Sequence, residues 1–131
     1  MQDEPGPSEI LAAVATFLRE VVVREGSAHT AFQARVAASA LELVRRQIEL
    51  TPASDAAELE RLRAILGHGG ALDALNAEFA GRLADGALDL SSPGVADHLW
   101  ASTIAKLAVD QPNYSGYRAA LAERGAPPQE S

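Results

Sequence analysis

The residues of this chain that could do chemistry are three histidines, His29, His68 and His98, with serines and carboxylates near them in sequence. His98 and Ser102 share a helix face one turn apart, the relation in which an imidazole can serve a nucleophilic hydroxyl. Asp97 points about 100° away from His98, so it is badly placed to orient the ring as the acid of a triad does. No two histidines sit at the i, i+4 spacing of a helical metal site, and His-Glu-x-x-His is absent. Without cysteine the chain has no thiolate ligand, no disulfide and no Cys nucleophile. The sequence therefore names no catalytic residue, no metal ligand and no cofactor.

Gly67-His68-Gly69-Gly70 has the form of an oxyanion loop of serine esterases and precedes a helix whose free amides suit an anion. That chemistry also needs a Gly-x-Ser-x-Gly elbow between a strand and a helix, and the chain has neither. A glycine-rich turn between two helices accounts for the segment. No Gly-x-x-x-x-Gly-Lys loop or Gly-x-Gly-x-x-Gly fingerprint follows a strand. Glu58 and Arg61 read as an exposed i, i+3 ion pair, and Asp85 and Asp89 as loop carboxylates. An enzyme built on His98 or His68 is the weakest functional reading.

Two places hold polar residues that a ligand could use. Arg35 and Ser39 stand one turn apart beside an alanine-rich helix face. Lys106, Asp110, Asn113, Tyr114 and Tyr117 gather at the end of a later helix, with Trp100 further back on it. In a binding reading Arg35 or Lys106 meets an anionic metabolite, and Trp100, Tyr114 and Tyr117 form apolar walls. Structural roles compete: Trp100 has core spacing with Ile104 and Leu107, Lys106 complements a helix dipole, and Asp110 and Asn113 shape a turn.

The elements that must position these residues all read as helices. Ile10, Leu11, Val14, Phe17, Leu18, Val21 and Val22 recur at steps of three and four, with Ser8 as the expected cap and Gly26-Ser27 as the stop. A longer helix is predicted over 30–50, with Phe32, Val36, Ala40, Leu43, Val44 and Ile48 inward and Arg35, Glu42, Arg45, Arg46 and Glu49 on its polar side. Alanines widen that face enough for a neighbouring helix to approach closely. Thr51-Pro52 is expected to end it, because proline disfavours helix in the residue before it. Further helices follow over 53–66, with Leu59, Leu62, Ile65 and Leu66 inward, and over 72–84, with Leu72, Leu75, Phe79 and Leu83 as a seam. Ser92-Pro93 is read as the start of a fifth helix ending before Pro112, and Asn113 as the cap of a short last one. The fold class is all-α: a single-domain bundle of five to six helices with short loops, spanning 8–123. A flexible arm, 1–7, precedes it and a disordered tail, 124–131, follows.

Composition narrows the partners. The formal charge is −7, and the adjacent pair Arg45-Arg46 is the only local basic excess, so nucleic acid is not expected. No stretch approaches the roughly 18 apolar residues of a membrane span. The acidic opening lacks the basic start of a secretory signal, and a cytoplasmic location is expected.

Three segments carry a family likeness: Met1-Gln2-Asp3-Glu4-Pro5, FQARVAASALELVRRQIEL from Phe32 to Leu50, and HLWASTIAKLAVDQPNYSGY from His98 to Tyr117. With them the chain resembles a family of small, uncharacterised bacterial all-helical domains. Members of that family occur beside or joined to aminoglycoside-phosphotransferase-like kinases and near acyl-CoA dehydrogenases. The resemblance implies an accessory domain with a kinase-like or acyl-CoA-metabolising enzyme as partner. Independently, wide alanine-rich faces without a catalytic constellation predict a non-catalytic interaction domain that binds a protein and can self-associate.

Overall fold

A computed structural model describes residues 5–125, with side chains through Glu123. Helices joined by short loops account for the described residues, which contain no strand. Its contacts divide it into two compact units, Met1–Thr51 and Pro52–Ser131.

The first unit is a helical hairpin. Helix α1 begins at Pro7–Phe17, passes through a π-helical turn, Leu18–Val22, in which the Val23 amide reaches back to the Leu18 carbonyl, and ends with Val23–Glu25. The valine run thus stays helical, as its period predicts. Proline sits where its missing N–H costs nothing, in the first turn. Gly6 takes the cap position expected of Ser8, and the Ser8 hydroxyl instead donates across the hairpin to Glu49 Oε1. That bond, ahead of the charge of Arg45, holds the Glu49 carboxyl below its usual range. The reversal at Gly26 is too tight for a side chain: a Cβ there would lie 2.9 Å from both Thr30 Cγ2 and the Val22 carbonyl oxygen. Ser27 Oγ then accepts from the Thr30 amide at 3.2 Å, capping the next helix.

That next helix, α2, is Ala28–Leu66, 39 residues without a break. The expected stop at Thr51-Pro52 does not occur. Proline removes only its own amide from the ladder, and the strong helix formers on both sides carry the helix through it despite a cost of about 3 kcal/mol. The two predicted helices over 30–50 and 53–66 are one.

The expected inward stripes are only partly covered: Leu11, Leu18 and Val22 of α1 are half-buried, whereas Ile10, Val14, Phe17 and Val21 are exposed. The hairpin's buried residues are all small: Ala15 of α1 and Ala31, Ala34 and Ala38 of α2. Phe32, Val36, Leu43, Val44 and Ile48, expected inside, are exposed, Phe32 to 63 %. Arg45, expected in solvent, is half-buried, with Glu42 at 3.0 Å and Glu49 at 3.4 Å. Alanine lets two helices approach closely, and the larger side chains are then displaced to the flanks of the seam or into water.

The second unit builds a conventional core. Leu62 and Leu66 of α2 pack with Leu75 and Phe79 of α3 (Leu72–Ala84) and with Val95 of α4 (Val95–Asp110). Leu59, Ile65, Leu72, Leu83, Leu88 and Leu99 close around them, as the helical period predicts. Gly67 ends α2 at φ 82°, the left-handed conformation that glycine adopts freely. Helix α4 starts at Val95 with Gly94 as its cap residue, later than the Ser92-Pro93 start expected. Ser92 Oγ accepts from the Asp89 amide at 3.0 Å, so this serine shapes the preceding loop rather than capping the helix. Helix α5, Ser115–Ala120, continues through a π turn, Leu121–Gly125. Its cap residue is Tyr114, because Asn113 Oδ1 accepts from Arg118 Nη2 at 3.1 Å instead. Of the predicted arm and tail, residues 1–4 and 126–131 lie outside the described residues; Pro7 and residues 124–125 are helical.

Candidate functional site

The polar constellation with the most developed geometry lies in the second unit. His98 is 2 % exposed, the one polar residue among the buried side chains described. It sits three residues after Val95 on the inward stripe of α4, and Phe79 of α3 meets its ring edge-on, centroids 5.0 Å apart and planes at 86°. Arg61 of α2 donates from Nε to His98 Nδ1 at 3.0 Å and from Nη2 to Ser102 Oγ at 3.5 Å, the outer limit of a hydrogen bond. The expected Glu58–Arg61 ion pair does not form. Glu58 Oε1 accepts from Asn76 Nδ2 at 3.1 Å.

This geometry fixes the chemistry of the imidazole. Nδ1 accepts from a guanidinium that does not deprotonate, so the single proton of a neutral ring stands on Nε2. Desolvation first, and the neighbouring Arg61 charge second, push the His98 pKa below 6.5, with Glu58 opposing weakly. With Nδ1 filled and Nε2 protonated, His98 has no lone pair with which to take a proton from Ser102. The pair recognised from spacing is a support for Arg61, not a nucleophile with its base.

Arg61 borders an open groove of about 390 Å³ between α2 and α4. Trp100, Ile104 and four alanines form its apolar wall, and Ser54 stands at its rim. The same arginine also borders a second hollow of about 360 Å³, lined with Ile65, Pro93 and Asp97.

His68 is a different kind of histidine. Its Nε2 lies 2.8 Å from Glu78 Oε2 and its Nδ1 3.0 Å from the Gly69 carbonyl oxygen, so both ring nitrogens face acceptors. The Gly69 carbonyl and then Glu78 raise its pKa above 6.5. Glu78 also pairs with Arg82 at 3.1 Å. His68 ties the Gly67–Gly70 turn to α3, and the turn reading of that segment describes what it does here.

The other residues singled out in sequence are dispersed. Arg35 and Ser39 are exposed on α2 in the first unit. Lys106, Asp110, Asn113 and Tyr114 are exposed in the second, and Tyr117 is half-buried. Trp100 alone among them joins the groove beside Arg61. Arg61 was missed because the near carboxylate Glu58 gave it an apparent partner at i−3. His98 was legible: Val95, His98 and Val109 fall on one inward stripe.

Among the described residues no cluster of His, Asp or Glu could hold a metal ion, and no helix is long and apolar enough to cross a membrane. No curated protein and no solved structure matches the chain. Residues 24–114 match the family described as Domain of unknown function (DUF6285); the match covers well over half of the sequence, and the chain belongs to that family.

Proposed function

We propose that this protein is a non-catalytic accessory domain whose N-terminal hairpin docks on another protein. One observation carries the reading. Ten large hydrophobic residues of the first unit are 36–63 % exposed: Ile10, Val14, Phe17 and Val21 along α1, and Phe32, Val36, Leu43, Val44, Ile48 and Leu50 along α2. The steps of three and four on α1, and of four and seven from Phe32 to Leu50, make stripes rather than scattered single residues.

For side chains of roughly 150–200 Å² each, these exposures amount to about 800 Å² of apolar surface in water. Summed over the stripes of both helices, that is of the order of the ~800 Å² that each partner contributes to a standard interface. The family resemblance supports a phosphotransferase-like or acyl-CoA-metabolising enzyme as the partner, in the cytoplasm of a bacterium. A second copy of the chain competes for the same stripes.

Affinity purification of the full chain co-expressed with enzymes of these two classes tests the reading, with light scattering of the chain alone as its companion. A stoichiometric complex lost in Phe17→Ser supports it. Recovery of the chain alone, together with a monomer at high concentration, overturns it.

A further inference from the structure

The groove beside Arg61 has the composition of a site for an anionic amphiphile, and it is independent of the docking stripes. Arg45, Arg63 and Arg82 are neutralised by carboxylates. Arg61 has no carboxylate partner among the described residues. Its hydrogen bonds go to a neutral imidazole and a hydroxyl, and Nη1 has no partner there. The anchor is rigid, because His98 is buried and held against Phe79. The guanidinium is thus fixed in orientation while keeping its full charge, in a chain whose net charge of −7 repels anions elsewhere.

What the charge faces decides the ligand. The groove of about 390 Å³ is walled by Trp100, Ile104 and four alanines, a smooth apolar surface in the size range of small-molecule sites, ~300–1,000 Å³. Arg61 lines the groove, so a carboxylate lying in it can take the Nη1 that the His98 and Ser102 contacts leave over. An unbranched alkyl chain fits over the alanines and against the indole.

We propose that this groove binds a short- to medium-chain alkyl monocarboxylate, with the carboxylate on Arg61 and the chain along Trp100 and Ile104.

Trp100 is the only tryptophan of the chain, so its fluorescence reports directly on occupancy. The full chain is titrated with octanoate, with octanol as the uncharged homologue and acetate as the head group alone. Saturable change with octanoate, at least about tenfold weaker binding of octanol, and no response to acetate are expected. Arg61→Gln should bring octanoate down to the level of octanol, with an unchanged far-UV spectrum. Ala105→Phe, which fills the groove without touching the charge, should abolish both, and it decides the matter if Arg61→Gln does not fold. No saturable response to octanoate, equal binding of octanol, or undiminished binding by Ala105→Phe overturns the proposal.

Discussion

Replacing Phe17 by serine separates the role of the hairpin stripes from the stability of the hairpin itself. Phe17 is 54 % exposed, which for a phenylalanine leaves roughly 110 Å² in water. Burying that area on a partner at ~25 cal/mol per Å² contributes about 3 kcal/mol, or roughly a hundredfold in affinity. In a symmetric dimer both copies lose it, and the effect doubles to about 6 kcal/mol. Inside the isolated chain that surface stays in water, and only the remaining roughly 90 Å² already covered is lost, so Phe17→Ser should cost no more than about 2 kcal/mol of unfolding stability, less than the loss on association. The hairpin is closed by other residues: the alanine seam and the Ser8–Glu49–Arg45 network. Two measurements make the assay: urea unfolding at dilution where the chain is alone, and light scattering or biolayer interferometry where it associates. A loss of several kcal/mol in the dilute unfolding experiment would show that Phe17 belongs to the core of the chain. An unchanged association constant would remove α1 from the docking face.

Leu62 is fully buried at the centre of the second unit, so Leu62→Ala should cost about 2–5 kcal/mol in urea unfolding; less than ~1 kcal/mol would mean that this core is not what holds the unit. Gly67→Ala should cost about 1–2 kcal/mol from its left-handed backbone alone, since nothing lies within 4 Å of the added carbon; a neutral result would contradict the φ of 82°. The two paired histidines should titrate in opposite directions by NMR. His68, raised above 6.5 in the folded chain, adds stability that is present below 6.5 and fades as pH rises through its folded pKa; His68→Gln should remove that slope. His98, lowered below 6.5, stays neutral with its proton on Nε2 while the unfolded chain takes up a proton, so it costs stability as pH falls below 6.5. A His98 that charges above 6.5 would refute the Arg61 bond.

The sequence by itself determined the helices, the seam Leu72-Leu75-Phe79-Leu83 and the inward Leu59, Leu62, Ile65 and Leu66, because these are periodic patterns and the 3.6-residue period is a local property. It also placed the Gly67 and Gly26 breaks, where backbone or space demands glycine. What only the tertiary structure decided was which side of each helix faces in. On α2 the period gives both an alanine face and a valine–phenylalanine face, and hydrophobicity favours burying the larger one. The close approach of α1 settles it for Ala31, Ala34 and Ala38 and leaves Phe32 and Val36 in water. Pro52 is a similar case: a local preference against helix lost to the residues flanking it on both sides. The Arg61–His98 contact joins residues 37 apart in sequence, and spacing along one helix cannot reveal a partner supplied by another.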